Sequence, residues 1–211
     1  MEARGSGGDT QADMAGGVKI EALGLQLGPL TVAVLDLSDV GRRLLHGPLD
    51  LVLGRELFDA TRLSINIAKG RMWTTPTNIG PDGVLLELKT EKGIETFAAS
   101  VEGHGDVQAA FDLGNGGAVL VGADYAKEIG LLSDGRPISV ASGGGIGGAK
   151  PRQTLRLRSL RVAGRLLENV PAAIDATGSA TKLNIGVPVL RHFEIVTDFA
   201  ARKLWLNSRA T

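Results

Sequence analysis

The feature that most constrains this chain is a duplication inside it. Displacing the sequence by 132 positions lays Leu51-Val-Leu-Gly54 on Leu183-Asn-Ile-Gly186. Without a gap it also lays Leu63-Ser-Ile-Asn66 on Ile195-Val-Thr-Asp198 and Arg71-Met-Trp73 on Lys203-Leu-Trp205. Identities are few, so the weight rests on the shared apolar spacing and on a Trp pair in a chain with only two Trp. A repeated apolar pattern implies a repeated supersecondary unit, with Trp73 and Trp205 expected as core anchors in matching environments. Upstream, a displacement of 137 sets Val18, Ile20, Leu23 and Leu25 on Leu155, Leu157, Leu160 and Val162. The second repeat reaches back to about Thr96, whereas 17 residues precede Val18, so the first is expected to hold only the latter half of the unit.

Alternating and β-branched runs between turn residues predict a mainly β chain. Strands are expected at 18–20, 23–27 and 30–35 with a turn at Gly28-Pro29. Further strands are expected at 63–67, 71–73, 84–88, 96–101, 107–111, 118–121, 138–140, 154–159, 160–162, 170–174, 194–197 and 203–206. Ala123–Ile129, stopped by Gly130, is the best helix candidate. Residues 1–17 read as a flexible Gly-rich lead-in, and the Pro- and Gly-rich stretch 76–83 as a linker between segments 1–75 and 84–211.

Composition removes whole classes of function. With 23 Lys+Arg against 23 Asp+Glu there is no basic excess to bind nucleic acid or an anionic membrane. The absence of Cys excludes disulfides, thiolate catalysis and Cys-based metal centres. His46, His104 and His192 lack paired ligand spacing, so neither a metal nor a cofactor is expected. The run 22–35 is broken by Gly24, Gly28 and Pro29 and is too short to span a bilayer. The polar start lacks a signal peptide, so the chain as given reads as cytoplasmic; a longer natural N-terminus would open the periplasm to it.

Chemistry concentrates at Asp112-Leu113-Gly114-Asn115, which follows directly on the strand ending at Phe111. On local sequence alone such a stretch is most often a turn. Its neighbours form an order: strand, Asp-x-Gly, strand, short helix, the hairpin Gly143-Gly144-Gly145-Ile146-Gly147-Gly148, then Ile185-Gly186 before a last hairpin. Gly143-x-Gly145-x-x-Gly148 also fits a dinucleotide fingerprint, but Pro151 and an alternating β run follow it instead of a helix. This order resembles the retropepsin-like aspartic proteases, in particular bacterial aspartyl-protease-family proteins with two repeats.

The resemblance implies an all-β, retropepsin-like acid-protease β barrel with one short helix, preceded by half of a second similar lobe. It implies Asp112 as one carboxylate of a catalytic dyad, shaped by Leu113, Gly114, Asn115, Ile185 and Gly186, with 143–148 as the flap. In such a dyad, as the resemblance implies it, two carboxylates share one proton, one activating water while the other protonates the substrate carbonyl. The Asn115 amide is expected to donate to the Asp112 carboxylate. Leu113 stands where that family has Thr. The implied function is hydrolysis of extended peptides, the second Asp coming from a homodimer partner or an upstream segment. The alternative is a non-catalytic peptide-binding or structural module on the same fold.

Overall fold

In a computed structural model, residues 2–5, 8–177 and 181–209 are described, and strands dominate them. The chain divides into two compact units. The first comprises residues up to 60 together with 142–151. It contains the hairpin β1 (Glu2–Gly5) and β2 (Gly8–Gln11), and the longer hairpin β3 (Asp13–Ala22) and β4 (Leu25–Val34). Then come α1 (Ser38–Val40), which runs into a π turn over Gly41–Leu45, and α2 (Arg55–Ala60). Part of the expected flexible lead-in is thus paired strand.

The turn of the long hairpin is Leu23-Gly24, both at positive φ, and not Gly28-Pro29, which lies within β4. Leu is a poor sequence signal for a left-handed turn position, so the turn was hidden behind the more conspicuous Gly-Pro. The corresponding two-residue turn in the second repeat is Ala163-Gly164, also at positive φ. The hairpins therefore correspond at a displacement of 140 (23 to 163), not 137.

The second unit, 61–141 with 152–211, begins with β5 (Leu63–Asn66), β6 (Arg71–Thr74), β7 (Val84–Glu87) and β8 (Lys89–Glu91). It continues through β9 (Ile94–Val101), β10 (Val107–Phe111), β11 (Val119–Gly122), α3 (Ala123–Glu128) and β12 (Ser139–Gly145). The remaining elements are β13 (Gly148–Val162), β14 (Arg165–Asp175), β15 (Leu183–Ile185), α4 (Val187–Leu190), β16 (Phe193–Asp198) and β17 (Lys203–Ser208). Helical structure is confined to a few short segments, of which α3 is the one expected at 123–129.

Eight strands pair in the order β12-β13-β14-β11-β15-β10-β9-β8, and a further β13–β9 pairing closes six of them into a barrel. Its interior is filled by Phe97, Val101, Ala109, Val121, Leu157, Leu160, Leu183 and Ile185, all essentially inaccessible. Closure removes two sheet edges and surrounds the short β15 with partners on both sides, β10 parallel and β11 antiparallel.

A five-stranded sheet, β6-β5-β16-β17-β7, holds the two repeated hairpins side by side. Its central pairs are Leu63 with Thr197, Ser64 with Val196 and Ile65 with Ile195. Under the 132-residue equivalence this register maps onto itself, so a local two-fold passes between Ser64 and Val196. The Trp environments nevertheless differ. Trp205 is 8% exposed, flanked by Val196 and Leu85, with the Arg62 guanidinium 5.1 Å from its ring, whereas Trp73 is 47% exposed. The cause is position: β17 has β7 beside it, and β6 is an edge.

The segment expected as a linker, 76–83, connects the two edge strands of this sheet and is tied down. Arg62 Nη1 donates to the carbonyls of Pro76, Thr77 and Ile79 at 2.9–3.2 Å, while Nη2 pairs with Asp198 at 3.1 Å. Gly83, at φ +107, lies so close to the Leu206 and Asn207 backbone that a Cβ would come within 2.7 Å.

Candidate active site

Asp112 stands where β10 leaves the barrel. Its amide donates to the Ile185 carbonyl at 3.1 Å, and the chain then turns so that the Gly114 amide donates to Asp112 Oδ1 at 2.8 Å. The loop rests on the end of β15. Gly186 N–H donates to the Ala118 carbonyl (3.0 Å), and Val187 N–H to that of Asn115 (2.9 Å). A Cβ on Gly186 would lie 2.1 Å from the Gly117 carbonyl oxygen and 2.5 Å from that of Asn115. Only glycine permits this approach.

The structure thus brings Asp112, Gly114, Asn115, Ile185 and Gly186 together. Leu113 lies in the same turn and is half-buried. The expected Asn115 to Asp112 bond is replaced by a relay through a residue that sequence reasoning missed. Asn184 Nδ2 donates to Asp112 Oδ2 at 2.7 Å, and Asn115 Nδ2 donates to Asn184 Oδ1 at 2.8 Å. Asn115 Oδ1 in turn accepts from the Gly117 amide at 2.8 Å. The available signal was an amide between two fully buried apolar neighbours, Leu183 and Ile185, on a strand with partners on both sides. A buried amide in such a place needs a polar partner, and here the partners are Asp112 and Asn115.

Beside the loop a groove of about 540 Å³ runs over β11, β13 and β14. Its apolar lining includes Ala118, Val119, Leu155, Pro171 and Ala172. Arg136 borders it but is fully engaged. Nη1 and Nη2 each donate to Glu102 at 2.7 Å, Nη1 also reaches the Arg156 carbonyl at 2.9 Å, and Nε and Nη2 bond Asp134. With every guanidinium N–H used, Arg136 organises the groove wall and has no donor left to point into the groove. Hydrogen bonds from Arg136 hold the Glu102 and Asp134 carboxyls below their ordinary range and raise Arg136 in return. Arg158 lies on the solvated face, paired with Asp134 at 3.0 Å.

Gly143–Gly148 form the tip of the β12–β13 hairpin, turning at Ile146-Gly147. The tip belongs to the first compact unit. There Arg43 Nη2 donates to the Gly145 carbonyl at 2.9 Å, and Gly147 abuts the Gly8 backbone. The expected flap is therefore a hairpin whose tip is held by residues of its own unit.

No family model matches the chain, and no curated protein does. Among solved structures the chain is similar to the crystal structure of a retropepsin-like aspartic protease from Rickettsia conorii. The identity is 17%, the match covers 58% of this chain and 89% of that one, and the TM-score is 0.46.

Proposed function

We propose that the chain is one half-site of an aspartic endopeptidase-like protein, with residues 84–211 forming a complete lobe and Asp112 contributing one carboxylate of a dyad. The observation that carries this reading is the presentation of Asp112: a carboxylate at a strand end, in a loop resting on glycine, with one donor fixed to each oxygen. Gly114 N–H and Asn184 Nδ2 set the carboxylate plane and leave lone pairs on both oxygens to take a proton from water. The neighbouring groove offers an apolar surface for a substrate side chain.

Peptide hydrolysis by this chemistry also needs an acid to protonate the scissile carbonyl. The other Asp-x-Gly in the chain, Asp39-Val-Gly41, runs through α1 into the π turn, with its carboxylate paired to Arg42 and Arg43. It has none of the strand-end geometry of Asp112. The second carboxylate must therefore come from another polypeptide segment, and the chain alone should be inactive.

A second reading, a non-catalytic peptide-binding module, is favoured by Asn184: the side chain bonded to Asp112 Oδ2 is an amide and not a second carboxylate.

The test is cleavage of a peptide library at acidic and neutral pH by wild type and Asp112→Asn at several protein concentrations, with a statine-type inhibitor titrated in parallel. The half-site reading expects no cleavage by the dilute chain, and inhibitor binding weakened by Asp112→Asn. Robust cleavage independent of concentration and abolished by the substitution would sink the half-site claim. Inhibitor binding indifferent to the substitution would remove Asp112 from the site.

A further inference from the structure

The groove over β11, β13 and β14 is lined wholly by residues of the second compact unit. Side chains alternate along its strands. Val119, Ala172 and Leu155 lie in one cross-strand row and are buried in the barrel. Ala118, Pro171 and Arg156, one residue removed on each strand, therefore stand on the opposite face, where Arg156 is the cation in an otherwise small and apolar set. The charges at the groove wall do not balance. Glu102 and Asp134 are matched by Arg136, which pairs with both, and by Arg158, which pairs with Asp134 at 3.0 Å. Arg156 is exposed and has no ion pair among the described residues. Its one side-chain hydrogen bond there runs from Nη1 to the Asn169 carbonyl, which leaves Nε and Nη2 free to donate. The Arg156 carbonyl accepts from Arg136 Nη1 at 2.9 Å, so the backbone that carries this free guanidinium edge is itself held in place.

We infer that Arg156 sets the specificity of the groove, which takes a peptide segment carrying an acidic side chain next to a small apolar one. The apolar side chain lies against Ala118 and Pro171, and the carboxylate bonds the Arg156 guanidinium. The free edge decides the chemistry. Nε–H and the adjacent Nη2–H point the same way, and this pair grips both oxygens of a carboxylate at once. Arg136 cannot compete for the ligand, because its own N–H groups are spent on Glu102, Asp134 and the Arg156 carbonyl. A purely apolar ligand would leave the unmatched charge unused, and a nucleic acid needs a row of cations where the groove offers one. The inference deepens the peptide reading of the site and rests on it. It does not need the dyad, since recognition is measurable without catalysis.

The probes are short fluorescently labelled peptides of alternating Ala and Val, amidated at the C-terminus, with a single Glu or Gln moved through the sequence. They are titrated into the full-length chain and followed by anisotropy. At one placement the Glu peptide is expected to bind about three- to tenfold more tightly than its Gln counterpart, and added salt should shrink the difference. Arg156→Gln should bring the two peptides together at an unchanged melting temperature, since the side chain is exposed. Arg156→Lys should keep part of the preference, because it retains the charge and loses the two-point grip. Asp112→Asn should leave the preference intact, and a statine-type inhibitor titrated in parallel reports on Asp112 separately. Asp112-dependent inhibitor binding with no Glu preference would overturn the inference and leave the half-site reading standing. A Glu preference lost on Arg156→Gln, with no inhibitor binding, would support the inference and count against the half-site. Equal binding of Glu and Gln peptides at every placement, a preference that survived Arg156→Gln, or no peptide binding by the wild type would each overturn the assignment of Arg156.

Discussion

Gly186 and Gly54 precede equivalent helical turns, yet a side chain on the first would strike the Gly117 carbonyl at 2.1 Å, while one on the second would meet only the Glu56 carboxylate at 3.8 Å. The pattern downstream of both, helical turn, strand, turn, strand, is realised twice. The three residues upstream become a strand only in the repeat where β10 and β11 lie on either side. The contrast separates what local pattern decides from what tertiary partners decide. A turn and its flanking strands follow from apolar spacing, whereas an isolated extended segment is not stable without a ladder.

The sharpest way to break the comparison is to substitute both glycines. Gly186→Val should cost about 4–5 kcal/mol, at the exceptional end of single-residue effects, because no rotamer avoids a backbone carbonyl. Gly54→Val should stay within about 0.5 kcal/mol in the isolated chain. Urea denaturation of the two variants reads both numbers, and equal losses would show that Gly54 is as closely packed as Gly186.

The Trp pair sharpens the same contrast. Trp205→Ala removes a buried ring and its Arg62 contact, with an expected loss of about 3–4 kcal/mol. Trp73, half-exposed on the edge strand β6, should lose about 1 kcal/mol or less on the same change. Acrylamide quenching of the Trp205→Phe and Trp73→Phe single-Trp proteins gives an independent reading: the protein retaining Trp73 should quench more strongly.

Much of the barrel was legible because its strands carry period-two apolar patterns, and the ends of β10, β16 and β17 fall within a residue or two of expectation. The Leu23-Gly24 turn was not, since Leu at positive φ contradicts turn statistics. Nor was the environment of Trp73, because being an edge strand is a property of the sheet and not of Arg71-Met-Trp73. That the Asp112 loop rests on Gly186 was legible from the order of motifs along the chain. Asn184 was not, because its partners lie 69 and 72 residues away in sequence and only the β10-β15-β11 ladder brings them within reach. The order of strands around a glycine can be read from a sequence more readily than the hydrogen bonds that complete it.

The smallest effect lies in acid, where the second repeat carries titrating groups that the first lacks. Hydrogen bonds from Arg136 hold the Glu102 carboxyl below its ordinary value of 4.5 in the folded chain. A depressed carboxyl stabilises the fold fully above its unfolded pKa and loses that contribution as pH falls through the folded pKa, because the unfolded chain binds the proton first. His192 acts in the same direction from higher pH. Burial, followed by the charges of Arg165 and Arg191, lowers it from 6.5, so below that value the unfolded state takes up a proton that the folded state resists. Its counterpart in the first repeat is Ala60, which has no proton to bind. Stability measured as a urea midpoint should therefore decline gently as pH falls below 6.5 and more steeply below about 4.5. His192→Gln should remove the first slope and keep the second, and Arg136→Met should flatten the second after lowering the whole curve. A profile that His192→Gln left unchanged between pH 7 and 5 would mean that this imidazole titrates alike in both states, and the early part of the acid response would then belong to other groups.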